Sequence, residues 1–178
     1  ASLNNNQGII SGQDDLTLSI AGGLDNSNDG LISSARDLDF NHVRTELSNR
    51  NGKVNAANIT LTGRSVDNSA GQLISQGTLK GTLSGALINA NNARLASGAA
   101  LLLNAASLDN RGGQLASQDQ LDLTLTNGDL DNRDQGTLAS QKDLVIKLLA
   151  GDVHNQQDGL IFSQNGRLDL AARTLNNQ

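Results

Sequence analysis

The chain contains two consecutive copies of one motif, LDNRGGQLAS at residues 108–117 and LDNRDQGTLAS at residues 130–140. Each copy precedes an alternating apolar segment, LDLTL at 121–125 and LVI at 144–146. Alternation of apolar and polar residues is the period of a β-strand, not of a helix. Clusters of Gly, Asn, Asp and Ser separate these segments and favour turns. The two copies therefore predict a repeated unit of 22 residues, built from short strands and bends.

The triplet apolar-x-Asn carries the repeat through the whole chain. Nine triplets begin at residues 3, 24, 47, 66, 87, 108, 130, 153 and 175, with spacings of 19 to 23 residues. Each unit has a second apolar residue, preceded two positions earlier by Gly in every unit except the fifth, which has Ala93. Self-similarity at such a period indicates a solenoid.

The unit length and the strand period together predict the fold. A unit of about 21 residues with three short strands and three bends makes one coil of a right-handed parallel β-helix, whose coils stack at ~4.8 Å. We expect an all-β protein of about eight coils, with residues 1–178 forming a single β-helical segment of a longer rod. A leucine-rich repeat shares the period, but its consensus places Asn differently and needs a segment of helical period.

The composition argues against several classes of protein. The chain has no Cys, so no disulfide or thiolate metal site is expected. A net charge of −5 and only two aromatic residues, Phe40 and Phe162, argue against nucleic-acid binding, which uses basic stripes and stacking rings. No apolar run approaches the ~20 residues of a membrane span, so the chain is not expected to be embedded in a membrane. No cofactor or metal is expected either.

The Asn of each triplet lies two residues after an inward apolar residue, so its side chain is also expected to point inward at a bend. Asn tolerates left-handed backbone conformations, and its amide both donates and accepts hydrogen bonds. We therefore predict a structural ladder along the rod axis. Its members are Asn5, Asn26, Asn49, Asn68, Asn89, Asn110, Asn132, Asn155 and Asn177.

A thin apolar strip is predicted on the outside of the rod. It is expected to be exposed, and it is either a lateral contact surface or simply a surface that favours β-structure. Its residues are Ile74, Ala96, Ala116, Ala139 and Phe162.

No catalytic residue is predicted. The serines that follow the second apolar row fit tight inward corners, and no Gly-x-Ser-x-Gly elbow is present. His42 and His154 are expected at the surface, about five units apart, too far to share a metal. The repeated Asp-Asn-Arg strings predict either a solvated charge ladder or a stripe that contacts carbohydrate.

The strings at 108–117 and 130–140, with their alternating segments, resemble the haemagglutinin repeats of filamentous-haemagglutinin-like proteins. The resemblance covers essentially the whole chain, although Gly63 and Gly81 interrupt units three and four. It implies a large exoprotein at the surface of a Gram-negative bacterium, exported by two-partner secretion through a dedicated outer-membrane transporter. The absence of Cys fits passage through the periplasm as an unfolded chain.

The resemblance also implies a function. Such proteins are adhesins of host cells and biofilms, or effectors of contact-dependent growth inhibition whose β-helix carries distal domains. The expected function is thus a non-catalytic shaft, with the transporter as a partner during export and a target-cell receptor or surface glycan as a partner afterwards. The alternative is a carbohydrate-binding or polysaccharide-degrading β-helix module, which needs clustered carboxylates and cations that break the repeat.

Overall fold

A computed structural model describes the backbone of residues 1–178 and the side chains of residues 1–41 and 45–178. It is an all-β parallel solenoid of about eight turns, with no helix among the described residues, and this confirms the predicted fold class. The strands are β1 (Leu3–Asn4), β2 (Ile9–Gly12), β3 (Leu16–Ser19), β4 (Leu24–Asp25), β5 (Leu31–Ser34), β6 (Asp37–Ser48), β7 (Lys53–Ala56), β8 (Asn58–Asp67), β9 (Gln72–Ser75), β10 (Leu79–Leu83), β11 (Ala86–Ile88), β12 (Arg94–Ser97), β13 (Leu101–Ala105), β14 (Ser107–Asp109), β15 (Gln114–Ser117), β16 (Leu121–Leu125), β17 (Leu130–Asp131), β18 (Thr137–Ser140), β19 (Leu144–Leu148), β20 (Asp152–His154), β21 (Leu160–Ser163), β22 (Leu168–Ala171) and β23 (Thr174–Asn176).

Each coil begins at one apolar-x-Asn triplet, and coils 1 to 8 are numbered in chain order. A regular coil has a short strand that carries the triplet, a middle strand of four residues and a long strand, as in β14, β15 and β16 of coil 6. Stacking these strands gives the rod three faces, which we call the short-strand, middle-strand and long-strand faces.

The strands pair in parallel and in register from coil to coil. The middle strands form one eight-stranded sheet, in which Leu95 pairs with Leu115 and Leu115 with Leu138. The short and long strands belong to one 15-stranded sheet, because β6 and β8 each run around a corner and join the two faces. The pairing of β6 with β8 shifts register between His42 and Glu46.

The core is filled by rows of aliphatic side chains that stack along the axis. Leu115 of the middle strand, Leu121 of the long strand and Leu108 of the short strand are all buried in coil 6. Period-two alternation puts their polar neighbours outside, so the outward positions of every strand define the surface. Phe40 is the one aromatic side chain among the buried described residues.

Candidate functional site

The ladder asparagines lie on the inside of the turn that follows each short strand. Six of them, from Asn26 to Asn132, have no exposed surface, whereas Asn177 is exposed. The Nδ2 atom of each asparagine donates to the Oδ1 atom of the asparagine in the next coil, over eight consecutive bonds of 2.6 to 2.8 Å. These amides are therefore engaged with one another rather than with solvent.

Each ladder amide also holds the backbone of neighbouring turns. The Nδ2 atom of Asn110 donates to the carbonyl oxygens of Gly113, at 3.3 Å, and of Thr137 in the next coil, at 3.1 Å. The left-handed residues of these turns are not the ladder asparagines. They lie two or three positions later, as at Gly112 (φ 61°) and Asp134 (φ 56°). The tolerance of Asn for that conformation therefore does not explain the ladder positions, while the hydrogen bonds of its amide do.

Glycine is required in most of these turns because the coils approach closely. A Cβ at Gly113 would lie 1.7 Å from the carbonyl oxygen of Asn89, and one at Gly52 would lie 2.0 Å from that of Asn26. Only the absence of a side chain permits this approach. In coil 5 the same position holds Ala93, which is buried.

The apolar strip lies on the middle-strand face, and its members stack in register from Ile74 to Phe162. The expectation that the strip is exposed was wrong: Ala96 is buried, with 7% of its surface accessible, and the other four residues are half-buried. Rows stacked at ~4.8 Å cover one another, and an alanine side chain is too short to project beyond them. Its use as a lateral contact surface stays a prediction.

A groove follows the short-strand face. One depression spans coils 1 to 3, a second lies beside Glu46, Arg64 and Ala86, and a third extends from Arg50 to Asp134. The first and third depressions share Arg50, and the second and third share Asp67 and Ile88. The depressions therefore join along the rod axis.

Ion pairs lie on the short-strand face in and beside this groove. In coils 6 and 7 the Nε and Nη2 atoms of each arginine bind both carboxylate oxygens of the aspartate two residues earlier, at 2.7 to 3.0 Å, in the pairs Arg111–Asp109 and Arg133–Asp131. Arg111 also lies 3.5 Å from Asp131 of the next coil. The charge ladder is therefore made of planar two-point pairs within a coil, linked between coils. Such pairs are more specific in geometry than single contacts.

Hydrogen bonds favour the ionised form of two carboxylates on the short-strand face. Burial would raise the pKa of Asp67, but hydrogen bonds from Ser69 and Arg50 outweigh it and hold that pKa below its ordinary value. Burial opposes the shift at Asp131 too, where hydrogen bonds from Arg133 lower the pKa of the carboxyl. A general acid of a glycosidase needs the opposite shift, a raised carboxyl pKa.

Coil 5 breaks the pattern of this face at three positions of one turn. Ile88 stands where six of the eight other triplets have Asn or Asp. Ala90 follows the ladder asparagine where the other coils have Asn, Ser, Arg or Gln, and Ala93 replaces Gly. Ile88 and Ala90 line the third depression. The sequence analysis noted Ala93 but not Ile88 or Ala90. Aligning the nine triplets would have singled out Ile88 among the middle residues and Ala90 among the residues that follow the asparagines.

The corner serines and His154 make local contacts in the described part of the chain. The Oγ atoms of Ser75 and Ser97 donate to backbone carbonyls of their own corners, at 2.9 and 2.8 Å. His154 is half-buried, 3.5 Å from Asp129, and the side chain of His42 lies outside the described residues. Among the described side chains, no group of three or more His, Cys, Asp or Glu residues is arranged to hold a metal ion. The described residues also include no helix long and apolar enough to cross a membrane.

The architecture defines a parallel β-helix whose strands pair from coil to coil on all three faces. The model of the haemagglutinin repeat family matches the chain in four overlapping stretches, residues 1–42, 35–84, 80–134 and 120–178. The chain therefore belongs to the haemagglutinin repeat family. No curated protein and no solved structure matches it.

Proposed function

We propose that the chain is a non-catalytic shaft of a secreted, surface-exposed exoprotein of a Gram-negative bacterium. The observation that carries the proposal is the uninterrupted stacking of eight coils in a chain matched along its length by the haemagglutinin repeat family. A stack of this kind holds whatever it carries at a fixed distance, with each coil adding ~4.8 Å. The exoprotein acts in adhesion or in contact-dependent growth inhibition, and its export uses a two-partner secretion transporter.

The groove chemistry favours a shaft over the polysaccharide-degrading alternative. The carboxylates of Asp67, Asp109 and Asp131 are each bound by an arginine. Carboxylates held in this way are poor proton donors and nucleophiles, since both reactions would have to break a charge-assisted hydrogen bond. Incubation with pectin, alginate and cellulose should release no new reducing or unsaturated ends, and release of either would contradict the proposal.

A spacer experiment tests the shaft directly. The chain is placed between a cell-surface anchor and an antigen-binding tip, and capture of antigen-coated beads is measured. Duplicating coil 6 should increase capture past a surrounding polymer layer, while replacing coil 7 with a second copy of coil 6 should leave capture unchanged. Loss of capture after this replacement would show that the identity of the coil matters, and it would overturn the shaft.

A further inference from the structure

Coil 5 lacks one hydrogen bond of this turn and has a larger residue at its closest approach. In coils 2, 4, 6 and 7 the middle aspartate of the triplet accepts a hydrogen bond from the backbone N–H two residues later, at 3.0 to 3.3 Å. Ile88 has no oxygen to offer the N–H of Ala90. In addition, Ala93 carries a Cβ where a Cβ on the glycines of other coils would lie within 2.7 Å of a neighbouring oxygen. Departures from local rules that bring no evident gain in stability are expected at functional sites.

Two of the three departures, Ile88 and Ala90, line one concave feature, together with Asn91 and Asn92. We call it the coil-5 notch and define it by these four residues. Ala90 is buried and Ile88 is half-buried, so they make an apolar floor, while Asn91 and Asn92 are exposed. The depression that contains the floor has a volume of about 710 Å³. That volume belongs to the whole depression from Arg50 to Asp134, of which the notch is the apolar part.

The walls of the notch are polar, and each arginine in them is paired with an aspartate. On one side the Nε atom of Arg50 binds Asp67 at 2.6 Å, and on the other Arg111 binds Asp109 at 2.7 Å. A charged ligand would have to compete with the ion already paired to each guanidinium. A neutral ligand with many hydroxyl groups can instead use the remaining guanidinium N–H groups, the carboxylate lone pairs and the two amides without breaking either pair.

The floor and the walls together select the ligand class. A sugar ring has an apolar C–H face, which fits the aliphatic floor, and a rim of hydroxyls that both donate and accept. We propose that the coil-5 notch binds one neutral sugar residue of a glycan chain. Because the depressions of the short-strand face join along the rod axis, the rest of the glycan chain lies along the groove. This binding function goes beyond the shaft and does not depend on it.

The test uses backbone amide NMR of the isotope-labelled chain, titrated with two neutral probes, maltohexaose and cellohexaose. An acidic probe, hexagalacturonate, and an uncharged hexapeptide are titrated separately. We expect at least one neutral hexasaccharide to shift the amides of residues 88–93 in a saturable manner, with weaker effects from the acidic probe and none from the peptide. Saturable shifts caused by neither neutral sugar, or by the peptide alone, would overturn the proposal.

Variants locate the site. Ile88→Asn, Ala90→Ser and Ala93→Gly combined give coil 5 the residues found in other coils, so the fold should persist. Losing the apolar floor should weaken sugar binding about tenfold or more. The matched control is Ile74→Asn, another half-buried isoleucine, which pairs with Asn55 on the middle-strand face and should bind sugar normally. Ala90→Arg fills the notch with the residue of coil 6 and should also block binding. Unchanged binding in both notch variants would contradict the assignment.

Discussion

Coils 5 and 6 are adjacent, equally buried at their centres, and different in one turn. Leu95 and Leu115 pair in register, and both have no exposed surface. In the turn on the short-strand face, coil 6 has an aspartate–arginine pair and a glycine, whereas coil 5 has only aliphatic residues at the equivalent positions. Core rows and surface turns are therefore under separate constraints, since a coil can keep its place in the stack while its turn changes.

The ladder runs through both coils without a break. Asn89 receives the amide of Asn68 at 2.8 Å and donates to Asn110 at 2.8 Å. This continuity shows which parts of the turn the stack requires. The inward amide stays the same, and the outward residues beside it vary.

The largest expected effect concerns the core, where the two coils should behave alike. Leu115→Ala and Leu95→Ala each remove a fully buried side chain from a close-packed row, so each should lower the free energy of unfolding by about 2–5 kcal/mol. Urea unfolding of both variants measures this. A much smaller loss of stability for Leu95→Ala would mean that the core of coil 5 is loosely packed. The difference between the two coils would then not be confined to the turn.

The next effect concerns the ladder. Asn110→Ala removes the acceptor of Asn89 and the donor of Asn132, both of which are buried. A buried polar group left without its partner should lower the free energy of unfolding by about 1–3 kcal/mol. Asn104→Ala is the control, because Asn104 is an exposed asparagine of the preceding coil and should change stability little. Equal unfolding temperatures of the two variants would mean that the asparagine ladder does not stabilise the fold.

Exchanging Gly and Ala between the two turns sharpens the comparison. Gly113→Ala places a methyl group against the backbone oxygen of Asn89, and crowding of this kind costs about 1–3 kcal/mol. Ala93→Gly removes one buried methyl group and gives the unfolded chain more freedom, so the net change should stay within about 1 kcal/mol. Differential scanning calorimetry of both variants tests this asymmetry. Equal and opposite shifts in Tm would mean that the two turns have the same geometry.

The smallest effect is a dependence of stability on pH. The pKa of Asp67 is lower in the folded chain than in the unfolded chain, where an aspartate titrates near ~3.9. Its contribution to stability is therefore complete above that value and is lost as the pH falls toward the folded pKa. Asp67→Asn should reduce the loss of unfolding free energy between pH 6 and pH 3, measured by urea unfolding. An unchanged loss would mean that the Arg50–Asp67 pair contributes nothing measurable.

Much of the fold could be predicted from the sequence because stacking forces chemically similar residues into rows. Leu108 and Leu130 pair because each begins a triplet, and the period of two then fixes which neighbours face inward. The continuation of β6 and β8 around their corners could not be read in the same way, because strand period alone does not say where a bend lies.

The candidate groove was harder to predict than the fold. The sequence placed Asp109 and Arg111 on the surface, but two-point pairing depends on side-chain rotamers that no pattern specifies. Predicting the notch would have required aligning the coils and comparing equivalent positions. Ile88 and Ala90 are ordinary as single residues, and they differ only from the equivalent residues of the other coils. Exposure of the apolar strip was overestimated, because coverage by adjacent coils acts between residues far apart in sequence.

The central claim, that the chain is a stack of equivalent coils, is tested most directly by deleting part of it and following unfolding by circular dichroism. Deletion of residues 108–129 removes one whole coil and brings Asn89 beside Asn132, so the shortened chain should keep its β-sheet spectrum and a cooperative transition. Deletion of residues 108–118 removes half a coil and should abolish both the β-sheet spectrum and the cooperative transition. The apolar residues of the later coils would then no longer align with the inward rows of the earlier coils. Loss of structure in the first variant, or an intact cooperative transition in the second, would contradict the stacked solenoid.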